Sequence, residues 1–167
     1  MYLATQGFNK AECNAIRCWI LSMLKQEPSS VCKFMPRAFQ IMNENVNTLL
    51  YAIHLFKTYN EKVSEQFAPD IQAQGDLLQF AVTISIAVKL QEDVPKRVMM
   101  NDICHVLKDS SEQYCHMNLP AFCSIEFGIC SFLEYKLFMT KQQQTHLRRH
   151  IINWYDEHGA GALRGVH

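Results

Sequence analysis

Glycine and proline are scarce in this chain, six and five residues in 167, which argues against a turn-rich all-β fold and against a disordered segment. Charge of one sign is also missing. Sixteen acidic residues balance sixteen basic ones, so no global field draws the chain toward nucleic acid or an anionic membrane, and specific contacts must set its choice of partner. No apolar run reaches the roughly 20 residues of a membrane helix, because Lys89 and Glu92 close the longest one. A Gly-rich phosphate loop is absent, which removes the usual signal for nucleotide binding. No Cys-x-x-Cys pair occurs among the seven cysteines. Their odd number, their apolar helical surroundings and the lack of a signal peptide lead us to expect free thiols and a cytosolic or nuclear location.

What is present is helical periodicity in a chain of one-domain length, long enough to bury roughly two-thirds of its unfolded surface. Ala11, Ile16, Trp19, Ile20, Met23 and Leu24 recur at three- and four-residue spacing and predict a helix from Lys10 to Lys25. Glu27-Pro28-Ser29-Ser30 interrupts it, and a connector is expected through Pro36 to about Asn43. Asn45 or Asn47 caps a second predicted helix carrying Leu49, Leu50, Ile53, Phe56 and Tyr59, which ends near Asn60. Pro69, Asp70 and Gly75 mark the next connection.

From Leu77 to Val88 the chain is apolar on nearly every side, the pattern of a central buried helix. The β-branched residues of Ala81 to Val88 would also suit a buried strand, but the length and the helical flanks favour the helix. Pro95 is placed to open a shorter fourth helix through Val98, Ile103, Val106 and Leu107, ended by Asp109-Ser110-Ser111. A fifth helix begins near Leu119-Pro120 and carries Phe122, Ile125, Ile129, Phe132 and Leu133. A last one is predicted from Lys141 to His158, followed by a tail, Gly159 to His167, expected to be mobile.

Three segments in order resemble the cyclin box. Ala87-Val88-Lys89-Leu90-Gln91-Glu92, with Pro95 after it, is similar to the Ala-Ser-Lys-Phe-Glu-Glu and proline that close the family's third helix. Thr48-Leu49-Leu50-Tyr51-Ala52-Ile53 is similar to the Thr-Leu-x-x-Ala-Val of its second. Ser124-Ile125-Glu126, with Leu133, Tyr135 and Leu137 behind it, is similar to the Arg-Met-Glu and following leucines of its fifth. The resemblance covers about Asn45 to Leu137. It implies an all-α fold with a single five-helix cyclin box over residues 1–140, a flanking C-terminal helix over 141–158, and no room for a second box.

The resemblance also implies a function: a regulatory subunit that binds, and activates or scaffolds, a cyclin-dependent protein kinase, with no cofactor, metal or small-molecule substrate of its own. The kinase-binding residues carried over are Lys89 and Glu126, ringed by Ile86, Leu90, Cys130, Tyr135 and Leu137. The lysine would supply donors to orphan carbonyls of the kinase's regulatory helix and the carboxylate would accept from its amides. The plainer account is a favourable helix end for Lys89 and, for Glu126, either a solvated position or an internal ion pair with Lys89. The chain departs from the family at Lys57-Thr58, where an Asp-Arg sequence is usual, so the family's internal salt bridge must be absent or replaced. Ile16-Arg17-Cys18-Trp19-Ile20-Leu21 matches the family's substrate-docking helix only loosely, and no such groove is expected.

Three further constellations carry weaker signals. Cys104-His105, Cys115-His116, Cys123 and Cys130 include zinc-ligand types, but adjacent Cys-His residues on a helix point in different directions. A Cys-His nucleophilic pair has no surrounding signature, so an enzyme is not expected. The basic cluster Lys141, His146, Arg148, Arg149 and His150 could contact phosphate or nucleic acid, the simpler account being a solvated helix face. The functional alternative is a cyclin-fold adaptor that binds a peptide or nucleic acid in transcription regulation without a kinase.

Overall fold

The computed structural model describes residues 10–66, 75–92 and 96–164, the side chains of 64–66, 96–98 and 160–164 excepted. Among these residues the chain is all-helical, with α1 Lys10–Met23, α2 Pro28–Ile41, α3 Val46–Gln66, α4 Asp76–Gln91, α5 Lys96–Ser110, a short 3-10 turn Glu112–Tyr114, α6 Leu119–Phe132 and α7 Lys141–Arg164. Pro69, Asp70 and Pro95 lie outside the described residues.

Helix α4 is the axis of the core. Every residue from Leu77 to Val88 is buried, which only a helix covered on all sides permits, and the strand alternative for this segment falls. Its polar members are accommodated locally: the Thr83 hydroxyl donates to the Phe80 carbonyl at 2.7 Å, and Ser85 bonds to a neighbouring helix. Helices α3, α5, α6 and α2 pack around it. Phe80 meets Phe56 of α3 edge to face, with ring centroids 5.6 Å apart, a geometry that adds to simple burial.

The segment from Pro28 to Asn43 is not an irregular connector; it contains helix α2. Pro28 stands in the first turn, where its missing donor costs nothing, and Pro36 lies inside the helix. An interior proline deletes a backbone bond and costs about 3 kcal/mol or more. Burial offsets that cost, because Val31, Phe34, Met35, Ala38 and Phe39 form one apolar stripe, all of it in the core. The helix packs against α5. It ends with two consecutive left-handed residues, Asn43 at φ 55° and Glu44 at φ 53°, and the Glu44 amide reaches back to the Phe39 carbonyl at 2.9 Å.

Asn45 is the residue that caps α3, its side-chain oxygen accepting from the amides of Asn47 and Thr48 at 3.0 and 3.3 Å. The helix continues to Gln66, past the expected end near Asn60. Helix α7 opens on a reciprocal cap: the Gln143 amide donates to the Thr140 hydroxyl at 3.1 Å, and the Thr140 amide donates to the Gln143 side chain at 2.9 Å. It continues to Arg164 rather than stopping at His158, so the expected tail is helical as far as Arg164, and residues 165–167 lie outside the described part. Gly159 is buried there, and a Cβ on it would stand 2.4 Å from the Tyr155 ring.

Helix α1 packs chiefly on α7 rather than on α4. Arg148 holds Glu12 through an Nε–Oε2 contact of 2.6 Å, and Trp19 meets Trp154 edge to face at 5.3 Å. The two helices form a pair on the side of the bundle.

Candidate functional site

The last turns of α4 and the middle of α6 lie side by side, and their polar side chains meet at Glu126. Ser85 and Lys89 are one turn apart on α4 and therefore share a face. The Ser85 hydroxyl donates to Glu126 Oε2 at 2.5 Å, and the Lys89 ammonium bonds to Glu126 Oε1. The side chains of Lys89 and Glu126 are 21% and 14% exposed, so this ion pair stands at the boundary of core and solvent. Residues 37 positions apart are thus joined, including the internal pair that the plainer account foresaw. The pair leaves capacity on both sides: an ammonium has three donors and a carboxylate about four lone-pair sites.

The end of α4 that carries Lys89 is fastened by the next acid. Glu92 Oε1 accepts from Asn45 Nδ2 at 3.0 Å and from the Thr48 hydroxyl at 2.9 Å. Its other oxygen accepts from Asn43 at 3.4 Å. One carboxylate therefore ties the C-terminus of α4 to the N-terminus of α3.

Helix α6 is built almost wholly of apolar and small residues, yet only Phe122 and Ile129 are buried. Phe127 is 68% exposed, and its neighbours one turn away on either side are Cys123, Ser124, Cys130 and Ser131, none large enough to cover it. Asn118 caps the start of the helix by accepting from the Ala121 amide at 2.9 Å. Its end is held by Lys62, whose ammonium donates to the Phe132 carbonyl at 2.7 Å. There follow two left-handed residues, Glu134 at φ 55° and Tyr135 at φ 58°. A tyrosine in that region is strained, and such strain persists only where the surroundings enforce it. Here the Tyr135 amide bonds to the Cys130 carbonyl at 2.9 Å.

The expected contact residues divide. Leu90 and Tyr135 are exposed; Cys130 and Leu137 are half-buried. Burial and the neighbouring Glu126 carboxylate push the Cys130 thiol up, with Lys89 opposing. The Leu137 carbonyl accepts from the Tyr51 hydroxyl, which anchors the segment after α6 to α3. Ile86 departs from the expectation: it is buried in the core, since α4 is covered on the side where it points. Sequence reasoning missed Phe127 and Phe138. The large apolar side chains exposed among the described residues are Leu90, Phe127, Tyr135 and Phe138, and all four belong to the end of α4, to α6 or to the segment that follows it.

Other constellations do not assemble. Cys104 is buried while His105 faces solvent beside Asp109, and no group of three metal-ligating residues forms among the described residues. None of the seven cysteines is in a disulfide. Lys57 stands 4.0 Å from Glu61, and the Thr58 hydroxyl donates to the His54 carbonyl at 2.8 Å. Among the described residues no helix is long and apolar enough to cross a membrane.

No family model matches the chain, and no curated protein or solved structure matches it either.

Proposed function

We propose that this chain is a cyclin-like regulatory subunit that binds a cyclin-dependent protein kinase in the cytosol or nucleus and activates or scaffolds it. The observation that carries the reading is the Lys89–Glu126 pair, set at the edge of the core and bordered by the exposed apolar side chains of α4, α6 and the segment after it. On this reading the box expected over residues 1–140, with Lys10–Lys25 as its first helix, is redrawn as α2 to α6 around the buried α4, because α1 packs chiefly on α7.

The chemistry follows from the free capacity of the pair. Donors of Lys89 not used by Glu126 meet the unsatisfied carbonyls at the end of the kinase's regulatory helix, and Glu126 accepts from backbone amides. Leu90, Tyr135 and Phe127 exclude water around these bonds and so strengthen them. The subunit's binding energy goes to the kinase conformation in which that helix is pushed inward and its glutamate meets the catalytic lysine. Catalysis belongs to the kinase.

The test is affinity purification of the tagged chain from its native cell beside a Glu126→Lys variant, with mass-spectrometric identification of the co-purified proteins. A kinase recovered with the native chain and lost with a variant that keeps its circular dichroism spectrum supports the reading. Absence of any kinase from both overturns it in favour of the adaptor alternative.

A further inference from the structure

The basic cluster of α7 is not used by the surface just described, and part of it closes a groove on another side of the molecule. The groove, of about 380 Å³, runs between α3 and the first half of α7. His54, Lys57 and Thr58 line it from α3; Gln142, His146 and His150 line it from α7. Its volume is many times the roughly 30 Å³ that one water occupies in the liquid.

The lining sets one ammonium and three imidazoles against one carboxylate. Glu61 is its single acid, 4.0 Å from Lys57. Gln143, also in the wall, has its side-chain oxygen engaged by the Thr140 amide, which leaves its NH2 as a donor. Among the described residues the half-buried His54 imidazole makes no hydrogen bond, and His146 and His150 present near-parallel rings 6.5 Å apart. Trp19 of α1 backs the His150 ring edge to face at 5.2 Å. Burial first, and then Lys57, holds His54 below the usual imidazole range, with Glu61 opposing.

We infer that this groove binds a phosphate group, either free phosphate or a phosphorylated side chain of a protein. An anion between the two helices would accept from Lys57, from the Gln142 and Gln143 amides and from the imidazole N–H groups. The donors converge from both sides and from several side chains, which suits a tetrahedral anion with many oxygens. A dianion also reverses the effect of Lys57 on His54 by favouring the imidazolium, so binding takes up protons. The titratable groups that face the site are His54, Lys57 and Glu61 from α3 and His146 and His150 from α7; Glu12 of α1 is engaged by Arg148.

The experiment follows the histidine imidazole resonances of the full chain by NMR while inorganic phosphate is added at constant ionic strength. His54, His146 and His150 are expected to shift together along one saturable curve, while the exposed His105 and His116 on other elements stay put. Bound phosphate should raise the titration midpoint of His54 from its lowered position, since an adjacent anion favours the imidazolium. The Lys57→Glu and His146→Ala variants, with unchanged circular dichroism, should each lose saturation. Shifts that never saturate, equal shifts at His105, or wild-type binding in Lys57→Glu overturn the proposal. A phosphoserine peptide that binds more tightly than inorganic phosphate, with its unphosphorylated form silent, assigns the site to a phosphorylated protein. Equal binding of the two assigns it to the free anion.

Discussion

Helices α4 and α6 are both apolar, and the chain treats them in opposite ways. In α4 every residue from Leu77 to Val88 is buried by the helices around it, so its composition is explained by the fold. In α6 only Phe122 and Ile129 are buried, and Phe127 projects into solvent among cysteines and serines. Water gives no reason for a surface helix of that composition, since exposing a large apolar side chain forgoes roughly 1.5–3 kcal/mol of burial. The contrast indicates that one helix serves the core and the other serves something the core does not contain. The ion pair between Lys89 and Glu126 is where the two meet.

The sharpest way to break this comparison is to truncate one phenylalanine in each helix. Phe80→Ala removes a fully buried ring set edge to face on Phe56 and is expected to cost about 3–5 kcal/mol in urea denaturation. Phe127→Ala should change stability by no more than about 0.5 kcal/mol and, on the proposed function, weaken kinase binding by about 2 kcal/mol or more. Equal destabilisation by the two would mean that α6 is core after all.

A second substitution probes the fastening of α4 rather than its burial. Glu92→Ala leaves Asn45 and Thr48 without their shared acceptor, and a loss of about 1–2 kcal/mol is expected by the same denaturation. Hydrogen exchange should locate the loosening at the end of α4 and the start of α3, not in the middle of α4.

The smallest effect concerns pH. Burial in the core pushes the Tyr59 phenol from 10.0 up to about 12. The unfolded chain therefore loses this proton first, and stability that is complete below pH 10 declines as the pH rises toward the folded value. Tyr59→Phe should flatten that alkaline decline, as read by thermal melting across the same range.

These contrasts also mark what could be read without coordinates. Helix α4 was legible because an unbroken apolar run of that length between helical flanks has one economical solution. The approach of Lys89 to Glu126 was legible only through the order of three short motifs, since nothing local to either residue joins them. Helix α2 is masked by Pro28, Ser29, Ser30 and Pro36, although Val31, Phe34, Met35, Ala38 and Phe39 carry the helical spacing throughout; burial of two phenylalanines outweighs the local breakers. Ile86 was placed at the surface by analogy, whereas the same all-round apolar pattern that identified α4 required it to be core. Phe127 and Phe138 were overlooked because an apolar residue on a helix is taken as buried until its surroundings are known. The left-handed pair Glu134-Tyr135 gave no signal, because no glycine marks it.

The most direct measurement of the central claim is site-specific photo-cross-linking in the native cell, with benzoylphenylalanine in place of Phe127 and, as a control, in place of the exposed Glu157 on α7. The account predicts that the probe at 127 forms a covalent adduct with a protein kinase, mapped by mass spectrometry to its regulatory helix, and that the probe at 157 does not. Adducts at 127 no more frequent than at 157, or formed only with proteins that are not kinases, would contradict it.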